Sequence, residues 1–132
     1  MSKRNILAII AVFFTWSVMD FIMHNVILSE TYAATAQLWR PMEEMKMGLI
    51  YLTGIVSAIT FVLIYAMFFA EKSVIRGVQY GMLFGLGAGF AMGYGSYSVM
   101  PIPYTLAFVW FIGSLVEATV GGIVVGLIIK DQ

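Results

Sequence analysis

Four long apolar runs separated by three polar connections set the pattern of this chain. The first runs from about Asn5 to Leu28, enough at about 1.5 Å per residue to cross a hydrocarbon core of ~30 Å. The second covers roughly Met45 to Ala70, the third Val74 to Ser98, and the fourth Tyr104 to Ile129. The predicted fold class is an all-α membrane protein, with four transmembrane helices in an antiparallel bundle and a single domain over residues 1–132. Connection Ser29–Glu44 carries Tyr32 and Trp39, residues suited to the headgroup belt, and Pro41, suited to a helix start. A short helix lying in the interface is expected over Glu30 to Leu38. Glu71-Lys72-Ser73 is a short loop, and Pro101-Ile102-Pro103 is a tight break, because proline restricts both itself and the residue before it.

Inside the third run, Gly77, Gly81, Gly85, Gly89 and Gly93 recur at every fourth position. Residues four apart stack along one helix face, so this spacing draws a groove without side chains. Each glycine costs a helix about 1 kcal/mol relative to alanine. In lipid, small residues repay that cost by letting a neighbouring backbone approach closely. The fourth run offers a matching surface: Gly113, Glu117 and Gly121 share one face, beside Ser114, Ala118, Gly122 and Gly126. This glycine zipper predicts tight packing of the third helix on the fourth or on a second copy of the chain.

Composition agrees with the pattern. The chain is 61% hydrophobic and 11% charged, where a soluble domain is about a quarter charged. The bilayer is therefore its expected surroundings. A formal net charge of zero leaves no electrostatic footprint for nucleic acid. The absence of cysteine removes disulfides, thiolate zinc sites, iron–sulfur clusters and cysteine nucleophiles together. Lys3 and Arg4 before an apolar run resemble a signal peptide, but no small-residue cleavage site follows, so a retained first helix is expected. Lys3, Arg4, Lys72, Arg76 and Lys130 fall on one side of the four runs, and Arg40 and Lys46 on the other. The positive-inside rule then predicts cytoplasmic termini in a bacterial inner membrane.

Asp20 and Glu117 are the acids within the spans. A central charge costs about 2.5–3.5 kcal/mol on insertion scales, so an intramembrane acid is a functional candidate by default. Trp16, Asp20 and His24 share a face of the first helix. From the helical rise, Asp20 lies about 5 Å further out than Ser17 and His24 another ~6 Å beyond. Glu117, Asp20 and His24 are expected to form a ladder from mid-membrane outward, with Ser17, Tyr94 and Tyr97 in the same polar cluster. No lysine or arginine lies in the middle of a span, since Lys46 and Arg76 stand at the ends of their runs, so protonation is the cheaper way to accommodate Glu117. The ladder suits either packing by hydrogen bonds or a relay for protons or a cation. Metal ligation is a minor alternative with His24, Met42, Met45 and Met47 as candidates, because thioethers select Cu(I). The sequence assigns no cofactor and no catalytic residue.

The leading expectation is a non-enzymatic membrane subunit that forms a homo-oligomer or joins a larger membrane complex. A small proton or cation transporter is the alternative, followed by a membrane enzyme acting on a lipid or quinone.

Overall fold

The computed structural model describes residues 1–131, and these fold into helices with no strand among them. Three helices are long and apolar enough to cross a membrane: Lys3–Ile27, Met47–Phe68 and Tyr104–Ile128. In chain order, α1 (Lys3–Ile22) continues into a π turn at Met23–Ile27, followed by the short α2 (Ser29–Ala34). Two 3₁₀ turns, Ala36–Leu38 and Met42–Glu44, lead to α3 (Met47–Phe68). Helix α4 (Val74–Phe90) passes through a second π turn, Ala91–Gly95, into α5 (Ser96–Val99), and α6 (Tyr104–Ile128) closes the fold. The expected third helix is thus one helical run from Val74 to Val99, whose glycines, Arg76 and Gln79 dilute its apolar character.

Local chemistry starts two of these helices. Ser2 caps α1 by accepting from the Asn5 amide at 3.1 Å, and Ser73 caps α4 by accepting from the Arg76 amide at 3.2 Å. Ser73 is held in turn by Tyr65 of α3. The Tyr65 hydroxyl donates to the Ser73 carbonyl at 2.8 Å and accepts from its amide at 3.0 Å. At the same end the Lys72 amide donates to Asp131 Oδ2 at 2.8 Å, and an Arg4 guanidinium nitrogen donates to the Lys130 carbonyl at 3.3 Å. Four of the five basic residues grouped by sequence, Arg4, Lys72, Arg76 and Lys130, therefore sit at or next to a single hydrogen-bonded end of the fold.

Helices α4 and α6 form the closest pair. A Cβ added at Gly77 would strike the Gly122 carbonyl, one at Gly81 the Ala118 carbonyl, and one at Gly93 the Ala107 carbonyl. At Gly85 it would lie 2.9 Å from the Cα of Leu115, and at Gly89 2.9 Å from the Cβ of Ser114. Backbone meets backbone along this contact, which only glycine permits. The small residues of α6 divide between two neighbours. Ser114, Ala118, Gly122 and Gly126 face α4 or the loop before it, whereas Gly113 lies under the Met23 thioether and Gly121 under the Trp16 indole of α1.

The contact between α3 and α4 has the opposite character. Large rings fill it: Phe61 stacks on Tyr80 with centroids 4.5 Å apart and meets Phe84 edge-on at 5.1 Å. The Tyr80 hydroxyl donates to the Phe61 carbonyl at 2.8 Å, so the one polar atom of that ring is satisfied. Apolar packing gathers in two clusters. One, around Val12, Phe61, Tyr65 and Val125, lies toward the basic end. The other joins Met23, Leu28, Ile102, Leu106 and Trp110 toward the opposite end. Helix α3 takes no part in the second cluster. From Met47 to Ser57 every residue except Gly54 is exposed, and Gly54 rests against the Phe13 ring at 3.3 Å.

Candidate functional site

Asp20 lies on α1 between Trp16, which packs on the first apolar cluster, and Met23, which belongs to the second. Trp16 sets the level of the site: its indole N–H donates to the backbone carbonyl of Glu117 at 2.7 Å. That bond, with the Trp16 ring against Gly121 and the Met23 thioether against Gly113, seats α1 on the Glu117 face of α6. Glu117 consequently has Asp20 as its acidic neighbour. Its Oε1 is buried and meets no hydrogen-bond partner that satisfies distance and angle. Glu117 is therefore packed against the first helix.

Beyond Asp20 the helix widens. The Leu28 amide reaches back five residues to the Met23 carbonyl at 2.9 Å, which defines the π turn carrying His24. Such turns insert one residue into a helix and re-aim the side chains around it. His24 Nε2 stands 3.9 Å from Asp20 Oδ1, and its Nδ1 is 2.6 Å from the Tyr32 hydroxyl. The same hydroxyl accepts from the Trp110 indole N–H at 2.8 Å. An indole nitrogen only donates, and a phenol has one proton to give. In the neutral tautomer protonated on Nε2, Tyr32 donates to Nδ1 and the ring proton is directed at Asp20. Burial holds the Tyr32 phenol above its ordinary value of 10.0, a shift opposed by the Trp110 bond and aided by Asp20.

Aromatic rings frame this array. Tyr32 stacks beside His24 with centroids 5.8 Å apart, and Trp39 meets Tyr32 and Trp110 edge-on at 5.5 and 6.1 Å. The Trp39 indole donates to the Thr35 hydroxyl at 2.9 Å. Asp20 itself is 51% exposed in its side chain and His24 34%, so the array opens sideways, where a lipid tail or another protein would stand.

The structure thus brings Asp20, His24 and Glu117 together but distributes the remaining candidates elsewhere. Ser17 donates back to the Phe13 carbonyl at 2.7 Å within its own helix. Tyr94 bonds Tyr104 through their hydroxyls at 2.9 Å, and Tyr97 packs edge-on against Tyr104. These two tyrosines belong to a separate aromatic patch between the α4–α5 run and the start of α6, at the end opposite the termini. Met42, Met45 and Met47 lie exposed along the entry to α3. Among the described residues no group of three His, Asp or Glu side chains is placed to share a metal ion. The residues that sequence reasoning missed are Tyr32, Trp110, Trp39 and Thr35. Tyr32 and Trp39 had a legible signal as interfacial aromatics, but the bend at Leu28 after the π turn, which returns Tyr32 to His24, had none.

Family models, curated proteins and solved structures yield no match to this chain. Its function must be read from the geometry.

Proposed function

We propose that the chain is a four-helix membrane subunit, with α1, α3, the α4–α5 run and α6 all crossing the bilayer and both termini on the cytoplasmic side. Its polar site is completed by a neighbouring protein. The observation that carries this reading is the placement of Asp20: a carboxyl half-exposed on an otherwise apolar helix, backed by a buried Glu117 oxygen with no hydrogen-bond partner. A polar group left facing hydrocarbon costs several kcal/mol. A donor from an adjacent chain removes that cost, and the apolar surface around Asp20, with Phe21 and Val18 exposed, supplies the contact area. Packing of the glycine zipper within one chain leaves this α1 face free for the partner. A second copy is the simplest occupant, in keeping with the prevalence of symmetric homo-oligomers.

The test compares Asp20→Asn with Asp20→Leu in lipid nanodiscs, reading mass by native mass spectrometry and co-purified membrane proteins by gel. The wild type and Asp20→Asn should assemble, since an amide still hydrogen-bonds, and Asp20→Leu should not. A wild-type protein that is monomeric and purifies alone would end this reading.

One observation favours a second reading for the same site. Glu117, Asp20, His24 and Tyr32 follow one another as titratable neighbours, with Asp20 and His24 3.9 Å apart and His24 bonded to Tyr32 at 2.6 Å, while packed apolar residues fill the fold toward the basic end. The series suits proton uptake from one side rather than a path through the protein. Glu117→Gln would abolish proton-coupled behaviour while leaving assembly intact, and pH-jump infrared spectroscopy of the carboxyl stretch would register the difference.

A further inference from the structure

A groove of about 500 Å³ lies at the end of the fold opposite the termini, between the extended Trp39–Arg40 segment of the connection and the first turns of α3. Its rim carries Arg40 and Lys46, and its walls are Trp39, Met45, Leu49 and Ile50. Both cations are unengaged: among the described residues the Lys or Arg ion pair is Glu71–Arg76, and neither Arg40 nor Lys46 donates a side-chain hydrogen bond. No acid lines the groove. Glu43 and Glu44 stand in the adjacent 3₁₀ turn, exposed and outside the lining. Thr53, a further lining residue, returns its hydroxyl to the Ile50 carbonyl.

We infer that this groove binds an anionic phospholipid, with the phosphodiester held by Arg40 and Lys46 and one acyl chain laid along Leu49 and Ile50. Charge complementarity and depth argue for that occupant. A planar guanidinium takes a phosphate through two parallel hydrogen bonds, and an ammonium adds a point charge. Trp39 belongs at headgroup level, where its ring is apolar and its N–H is already bonded to Thr35. Lys46 immediately precedes α3, so the charged rim sits at the membrane boundary while the walls descend with the helix into hydrocarbon. Leu49 and Ile50 are half-exposed and continue into the unpacked stretch that ends at Ser57, giving an acyl chain an uninterrupted apolar track. Two positive charges with no acid in the lining favour a headgroup of net negative charge over a zwitterionic one. Trp39 also touches Tyr32 and Trp110, so an occupied groove borders the His24 array. The site does not depend on the subunit reading above.

Native mass spectrometry of the full chain with phosphatidylglycerol and phosphatidylethanolamine of matched acyl chains tests the inference. Retention of phosphatidylglycerol should exceed that of phosphatidylethanolamine at least several-fold. Arg40→Gln with Lys46→Gln should erase the preference, and Arg76→Gln, at the opposite end, should preserve it. Melting temperature in detergent provides the second readout: phosphatidylglycerol should raise it in the wild type and not in the double variant, whose exposed positions leave folding intact. Equal retention of the two lipids, or undiminished preference in the double variant, would overturn the site. A thermal shift reproduced by inorganic phosphate alone would overturn the lipid as its occupant.

Discussion

Adding one methyl group at Gly81 should separate the helices that adding one at Gly87 leaves untouched. The two positions share a helix and a residue type, and differ in what a Cβ would meet. At Gly81 it would strike the Ala118 carbonyl and stand 2.9 Å from both the Ala118 carbonyl carbon and the Thr119 Cα, whereas at Gly87 nothing lies within 4 Å. Backbone atoms cannot rotate aside as a side chain does, so Gly81→Ala must push α4 and α6 apart. Overpacking of this kind costs about 1–3 kcal/mol, and the displacement extends along a contact that includes Gly77 and Gly85. Gly87→Ala gains helix propensity of about 1 kcal/mol with no steric cost. Gly81→Ala gains the same propensity, so the two variants should differ by the steric cost alone, about 1–3 kcal/mol, with Gly81→Ala the less stable. Reversible unfolding in mixed micelles, followed by circular dichroism against the mole fraction of dodecyl sulfate, measures this directly. Equal midpoints for the two variants would refute the claim that backbone contact holds α4 to α6.

Other substitutions address separate parts of the fold. Tyr32→Phe removes the hydroxyl shared by His24 and Trp110 and should cost about 1–3 kcal/mol by stranding their nitrogens, read in the same unfolding assay. Because burial raises the Tyr32 phenol above 10.0, its protonated form contributes stability that is complete below that pH and lost as pH rises through the higher folded value. The fall in wild-type stability above about pH 10 should thus be shallower in Tyr32→Phe, and identical alkaline slopes would contradict the burial of this ring. Tyr65→Phe deprives the Ser73 amide and carbonyl of a shared partner, and should loosen the α3–α4 connection enough for faster amide exchange at Ser73 and Val74. Cysteine at Ser2 should resist an impermeant thiol reagent in intact cells while cysteine at Thr35 reacts; labelling at Ser2 would reverse the proposed orientation.

Much of this protein could be read from residue order because a membrane makes strict demands on it. Hydrocarbon requires long apolar runs with their backbone bonds closed internally, so the three helices long and apolar enough to cross a membrane were visible as lengths and compositions. The four-residue glycine spacing likewise had to describe a helix face, and Glu117 stood out as an acid in an apolar run. What spacing could not say is which neighbour each face meets. Gly113 and Gly121 look like extensions of the surface that receives α4, yet they carry Met23 and Trp16 of α1. That division places Glu117 against Asp20, and it depends on how three helices pack at once. The link from His24 to Tyr32 and Trp110 is tertiary for a related reason. A π turn followed by a bend at Leu28 decides it, and Tyr94 and Tyr97, equally suited by depth, are carried by the second π turn and α5 to Tyr104 instead. Periodicity specifies the faces of a helix, and only the packing of the whole chain decides what those faces touch.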